Sequence, residues 1–304
     1  MTSFSTLLAF ATVFAGTLPP GDSMRTLFHD AQLRSYLVHV PPAGKTPDQP
    51  PLVIALHGAV MNGAAMAWLT GLNGTADRAG FVVAYPDGSG PGFPFLTWNA
   101  GQFSGSKADD VGFISQVIDD LQAVAGIDTR RVYVTGYSNG AMMAYRVASD
   151  LSDRVAAIAP VAGTMVFPEI RASRPVPVIH FHGTDDGWVP FWGPNSGTPS
   201  FLSFFSVPES ISRWIEFNEC EPLGDFQLMP DIARDNTWVL RVTSRDPRGP
   251  ADVILYIVFG GGHTWTGRDE LSGFFTGRST RDISASDLIW EFFKTRTLPP
   301  DGPS

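Results

Sequence analysis

Val132-Tyr-Val-Thr-Gly-Tyr-Ser-Asn-Gly-Ala-Met-Met-Ala-Tyr145 decides how the rest of the chain is read. A β-branched apolar run at 132–135 meets Gly136-Tyr137-Ser138-Asn139-Gly140, and an apolar stretch of helical character follows. Between a strand and a helix, G-x-S-x-G is a sharp turn that lifts a serine hydroxyl clear of the backbone and strains the serine dihedrals. Glycines on either side leave room for the neighbouring strand and helix. The free N–H groups of the first helical turn lie close to the serine oxygen, where negative charge develops when the serine attacks a carbonyl. The same five letters occur in turns that do no chemistry; the flanking strand and helix favour a nucleophile.

Around this turn, apolar runs alternate with helix-like segments. Residues 34–40 alternate and stop at Pro41-Pro42, an early strand closed by a break. Residues 51–56 are continuously apolar and end at His57-Gly58-Ala59, as in a strand buried on both faces. A helical pattern over 64–78, interrupted by Gly71 and Gly74, precedes another buried run at 81–85 and the turn Pro86-Asp87-Gly88. Asp109-Asp110 stands before a helical apolar face from Val111 to Leu121, where the carboxylates most simply cap the helix. Two further buried runs, at 155–161 and 176–181, are followed by a helix over 208–217, strands over 238–242 and 253–259, and a closing amphipathic helix over 284–297. Strands alternating with helices predict an α/β fold with a mostly parallel central sheet and helices on both faces. The aromatic, Gly/Pro-rich segments 89–106 and 190–206 read as long loops.

The chain has 304 residues, 21 Lys and Arg against 30 Asp and Glu, and a net charge of −9. That balance argues against a nucleic-acid partner or an anionic membrane surface. A single cysteine, Cys220, allows no intrachain disulfide. Neither C-x-x-C nor H-E-x-x-H occurs, so no metal or other cofactor is expected. The apolar run 7–15 lacks a preceding Lys or Arg and is too short to span a bilayer. It reads either as a degenerate signal peptide or as an apolar arm. Residues 1–25 are assigned to that leader or arm and 26–304 to one domain, since nothing marks a linker.

A serine needs a base to take its proton and a carboxylate to orient that base. For an elbow of this kind the chain order is Ser, acid, His. Of the six histidines, His29, His39 and His57 precede Ser138, and His180 and His182 precede the best acid. His263 remains, in a glycine-rich loop. The acid is expected after a buried strand, which points to Asp185 or Asp186. The oxyanion is expected to meet the N–H groups of Asn139 and of Ala59, in the loop after an early strand.

With these residues in place, the chain resembles the polyhydroxybutyrate depolymerase and feruloyl esterase family of α/β-hydrolase serine esterases. The likeness runs through Leu56-His57-Gly58, Tyr85-Pro86-Asp87, Thr97-Trp98-Asn99-Ala100-Gly101, Asp109-Asp110-Val111-Gly112-Phe113 and the serine elbow. It continues in His182-Gly183-Thr184-Asp185-Asp186, Gly261-Gly262-His263-Thr264-Trp265 and Ile289-Trp290-Glu291-Phe292-Phe293. The resemblance implies a triad of Ser138, Asp186 and His263, because the family's acid lies two residues after the threonine of His-Gly-Thr-x-Asp. It also implies hydrolysis of feruloyl-type aryl esters or polyesters through an acyl-enzyme, with acetyl (xylan) esters as the alternative. A non-catalytic polymer-binding module is the rival of another class. Trp98, Trp188 and Trp265 are the expected substrate-binding residues, together with Trp192, Phe191, Phe204 and Phe205 from the same loops, because flat rings suit an aromatic acyl group or a polymer face. No obligate protein partner is inferred. Secretion is implied, but without the disulfides of many relatives.

Overall fold

A computed structural model describes residues 18–299 apart from 91, 93–94, 102–106, 199–201, 223 and 269–275. The apolar run at 7–15 and Phe103 therefore lie outside the described residues.

Among the described residues, ten strands form one sheet in the order β1-β2-β4-β3-β5-β6-β7-β10-β9-β8. They are β1 Gly21–His29, β2 Gln32–Val40, β3 Leu52–Leu56, β4 Val82–Pro86, β5 Val132–Tyr137, β6 Ala157–Val161, β7 Val178–Gly183, β8 Asp225–Leu228, β9 Trp238–Ser244 and β10 Val253–Phe259. The central run from β4 through β3, β5, β6 and β7 to β10 is parallel. An antiparallel pair closes each side, β1–β2 on β4 and β9–β8 on β10. Every residue of β3, β4, β5, β6 and β7 is buried, the burial a parallel strand gains when helices cover both faces. That is the α/β-hydrolase fold.

The helices are α1 Gly63–Thr70, α2 Leu72–Ala79, α3 Asp110–Ala125, α4 Asn139–Asp150, α5 Val207–Phe217 and α6 Ala285–Phe293. Phe113, Ile118, Met143, Tyr145, Val147 and Trp214 pack α3, α4 and α5 on one face of the sheet. Met66, Leu72, Ala76, Ile289, Phe292 and Phe293 pack α1, α2 and α6 on the other. Side chains alternate across a strand, so Val134 enters the first core and Tyr133 the second.

Several boundaries differ from the sequence reading. The division at residue 25 falls inside β1, whose nine residues pair with β2 along their whole length. β1 and β8 are edge strands without a clear apolar alternation; all four residues of β8 are exposed. Gly71, at φ +60, ends α1 and starts α2, while Gly74 sits inside α2, where a Cβ would meet only the Arg78 guanidinium at 3.7 Å. Asp109 caps α3 by accepting from Gly112 N–H. Asp110 is instead a buried hub that binds Arg34 at 2.8 Å, the Ser89 hydroxyl at 3.0 Å and the Asn99 amide at 2.7 Å.

Candidate active site

Ser138 stands between β5 and α4 with φ +56 and ψ −119, in the region that side chains other than glycine rarely occupy. Its N–H donates to Val161 O at 2.9 Å, and its carbonyl accepts from Ala141 N–H at 2.9 Å and Met142 N–H at 3.1 Å. These three bonds over-determine the strained turn. A Cβ on Gly136 would lie 2.2 Å from Gly140 O, and one on Gly140 would lie 2.1 Å from Leu56 O. Gly163, after β6, carries the same constraint: its Cβ would come 2.2 Å from Ser138 O. Sequence reasoning missed Gly163 because it lies on another strand.

His263 follows β10, and its Nε2 lies 2.9 Å from Ser138 Oγ while its Nδ1 lies 2.7 Å from Asp186 Oδ2. A carboxylate only accepts, so Nδ1 donates and Nε2 is left to accept the serine proton. The Tyr137 hydroxyl donates to the His263 carbonyl at 2.7 Å, fixing the loop from β5. Asp186 is buried, whereas Asp185 is exposed beside the Thr184 hydroxyl. Asp186 Oδ1 accepts from the N–H groups of Trp188 at 2.9 Å and Val189 at 2.8 Å. Burial works to raise the Asp186 pKa, but the facing charge of His263 and hydrogen bonds from His182 and His263 outweigh it and hold the carboxyl well below its usual range.

The loop after β3 is equally constrained. His57 is buried; its Nδ1 donates to Gly58 O at 2.7 Å and its Nε2 accepts from Gly88 N–H at 2.9 Å. Burial lowers its pKa, consistent with a neutral ring holding one proton. Because a trans peptide sets C=O and N–H on opposite sides, tying the Gly58 carbonyl to the ring turns the Ala59 N–H away from it. A Cβ on Gly58 would stand 3.4 Å from Ser138 Cβ, so this peptide passes beside the serine. Val60 has φ +57 and donates its N–H to Leu96 O at 2.8 Å. The Asn139 amide belongs to the first turn of α4, where no intrahelical acceptor exists. Its side chain is occupied elsewhere, accepting from the Thr97 hydroxyl at 2.7 Å and Trp98 N–H at 2.6 Å.

Two of the three expected substrate-binding tryptophans are buried instead. Trp98 is 0% exposed and donates Nε1–H to His57 O at 2.9 Å. Trp265 is 1% exposed and donates to the Ser286 hydroxyl at 3.0 Å. Neither has a free ring face, because the indoles fill the core and their N–H groups must find partners there. Trp188 and Trp192 remain exposed, at 60% and 79%. Phe191 and Phe204 are buried, and Phe205 lies under the Arg213 guanidinium. Among the described residues no group of three or more His, Cys, Asp or Glu is arranged to hold a metal ion.

A family model described as esterase PHB depolymerase matches residues 34–183. NocK of Nocardia uniformis subsp. tsuyamanensis, a protein named as an esterase, is 31% identical over 280 residues, covering 85% of this chain and 78% of NocK. Feruloyl esterase B of Piromyces equi is 32% identical over 192 residues, covering 59% of this chain and 34% of that protein. The chain thus spans about a third of that second relative. Among solved structures, an acetyl xylan esterase from Aspergillus awamori superposes with a TM-score of 0.63 at 17% identity, over 90% of this chain and 99% of that one.

Proposed function

We infer the reaction from the premise that this chain belongs to the polyhydroxybutyrate depolymerase and feruloyl esterase family of α/β-hydrolase serine esterases. It is a carboxylic ester hydrolase, and Ser138, His263 and Asp186 are its proposed triad. Ser138 Oγ attacks the ester carbonyl as His263 Nε2 takes its proton, and Asp186 stabilises the imidazolium that forms. The N–H groups of Asn139 and Ala59 receive the oxyanion; each such donor lowers the barrier by roughly 2.7–4 kcal/mol. The proton passes to the leaving alcohol, and water hydrolyses the acyl-enzyme by the same relay in reverse. No step calls for a cofactor. The observation that carries this reading is the strained Ser138 with its hydroxyl 2.9 Å from an imidazole held by a buried carboxylate.

For substrate we propose aryl esters of the feruloyl type or polyesters. The support is Trp188, two residues from the acid in the chain and 60% exposed, with Trp192, four residues further along the chain and packed edge-on against Phe191, as a second open ring. Flat exposed rings suit an aromatic acyl group or a polymer face better than they suit acetate. The names of relatives point the same way: esterase PHB depolymerase for the family and feruloyl esterase for one homologue. The acyl chemistry is proposed to reside in one domain spanning 26–304 together with the start of β1, and the enzyme is proposed to act outside the cell on substrate made there. No helix among the described residues is long and apolar enough to cross a membrane.

A fluorophosphonate probe and a panel of methyl ferulate, p-nitrophenyl acetate and polyhydroxybutyrate film test the reading. Labelling at Ser138 with turnover of methyl ferulate or film is the expected result. Turnover of the acetate alone would move the substrate to acetyl esters. Retention on film with no labelling would replace the enzyme by a polymer-binding module.

A further inference from the structure

We propose that Tyr145, His180 and His182 form a buried hydrogen-bond relay, running in one direction, that positions Asp186 and holds its negative charge. The proposal rests on the reading of Asp186 as the triad acid.

His180 and His182 lie two residues apart on β7, so both imidazoles project from the same face of the sheet. Their rings stack 5.3 Å apart with planes 2° from parallel. Carbonyl geometry fixes the protons. His182 Nε2 is 2.8 Å from Val189 O, which can only accept, so Nε2 carries a hydrogen. The same nitrogen lies 3.3 Å from Asp186 Oδ2, so the hydrogen is shared between carbonyl and carboxylate. His182 Nδ1 is then left to accept from His180 Nε2–H at 3.1 Å. His180 Nδ1 in turn accepts from the Tyr145 hydroxyl at 2.8 Å. Reversing the chain would point His180 Nδ1–H at the hydroxyl and take away the acceptor of the buried Tyr145 proton.

Every donor in this chain therefore points toward Asp186. Tyr145 comes from α4, two helical turns beyond Ser138, and is 0% exposed, as is His180; His182 is 1% exposed. Burial, with His182 adding to it, pushes the His180 pKa well below its ordinary value, and burial raises that of Tyr145, so both are neutral at working pH. The groups facing the two imidazoles are Tyr145 from α4, Asp186 after β7 and, across the carboxylate, His263 and Tyr137. Phe191 and Trp214 supply apolar walls. Polar groups this deep are unfavourable unless bonded, and a fully bonded chain is stiff. Aligned dipoles add stabilisation for the carboxylate without adding net charge. They keep Oδ2 aimed at His263 as that ring gains and loses its proton.

Nitrogen-15 spectra of histidine-labelled full-length protein test the direction of the chain. Both His180 and His182 are expected as Nε2–H tautomers, with His180 neutral; an Nδ1–H tautomer at either site, or an imidazolium at His180, overturns the proposal. Kinetics test the consequence. Tyr145→Phe removes only the far donor. With less of its charge dispersed, Asp186 should hold the proton on the base more tightly, moving the acid limb of the kcat/KM profile to higher pH by about half a unit, with KM little changed. His182→Leu should move it further the same way and lower kcat roughly tenfold or more. His182→Gln, whose amide can present an N–H near the old Nε2 position, should recover most of that kcat. An unmoved acid limb in both Tyr145→Phe and His182→Leu, even with lower stability, would reduce these residues to packing and sink the relay. Fluorophosphonate labelling of the wild type reports separately on Ser138, so loss of the relay and loss of the esterase reading give different results.

Discussion

The indole Nε1–H of Trp98 donates to the carbonyl of His57 at 2.9 Å, joining the loop after β4 to the loop after β3. The same tryptophan donates its backbone N–H to Asn139 Oδ1 at 2.6 Å and accepts from Asn139 Nδ2 at 3.2 Å. Three segments, at residues 57–60, 96–99 and 139, two of which carry the proposed oxyanion donors, are thereby held by one side chain and one amide. Asp110 anchors the far end through Asn99 N–H. The fold spends a large aromatic residue on fixing backbone donors, and none of its ring is left to touch a substrate.

Trp98→Phe should therefore act on kcat. It keeps most of the packing but leaves the His57 carbonyl without its buried donor, a loss of about 1–3 kcal/mol. With p-nitrophenyl acetate we expect kcat to fall roughly tenfold or more while KM stays within about twofold. A change confined to KM would return Trp98 to the substrate.

Asp186→Asn should be far more damaging than Asp185→Asn. Asp186 Oδ2 receives His263 Nδ1–H at 2.7 Å, and an amide there favours the wrong imidazole tautomer, an effect of about 10⁴ in kcat for a comparable triad. Asp185 is exposed and contacts the Thr184 hydroxyl, so its variant should stay near wild type. Equal losses in steady-state turnover would contradict the assignment.

Much of this was legible in the residues. The elbow is local, so its strand, glycines and helix could all be read from 132–145. Continuous apolar runs disclosed the parallel strands because those strands are buried on both faces. Edge strands were missed for the converse reason: β8 exposes every residue, and a half-solvated edge need not alternate. Trp98 and Trp265 were assigned to the substrate because a tryptophan in a loop looks the same whether its ring faces a groove or a core. The buried network around Asp186 stayed hidden although the sequence carries its signal, two histidines at strand spacing just before the acid. Tyr145 lies on a helix distant in sequence, and only packing brings it to His180.

Ser138→Ala should remove hydrolysis of p-nitrophenyl esters by several orders of magnitude, leaving only what binding and the oxyanion donors provide. Its fold should persist, because the hydroxyl bonds to His263 while the strained turn is held through backbone groups. Full activity in a pure preparation of this variant would end the triad.

Gly163→Ala should be among the most harmful single-methyl changes in the chain. The added carbon would lie 2.2 Å from Ser138 O and 2.8 Å from Ala141 Cβ, and the first of these is backbone already held in a strained turn. Overpacking of this kind destabilises by about 1–3 kcal/mol or more, and here any relaxation also displaces Ser138. Gly187→Ala, where nothing lies within 4 Å, is the control one residue from the acid. Urea unfolding and turnover should separate the two; a Gly163→Ala enzyme as stable and active as the control would show that the turn can shift freely.

Stability should fall as the pH drops below about 6.5, the value of an unperturbed histidine in the unfolded chain. Burial, reinforced by His182, keeps the folded pKa of His180 well beneath that value, and burial also lowers His57. Above about 6.5 neither state of these groups binds a proton, so their contribution is fully present and flat. Below it the unfolded chain takes up protons that the folded one refuses, and each such group removes up to about 1.4 kcal/mol per pH unit until its folded value is reached. The depressed carboxyl of Asp186 acts with the same sign but at lower pH, beneath the unfolded carboxylate value of about 4. Urea unfolding between pH 7 and 5 should thus show a slope that His180→Phe makes shallower, whatever that variant does to stability at pH 7. Parallel slopes would mean that His180 accepts a proton inside the fold, which its contacts with Tyr145 and His182 leave no room to do.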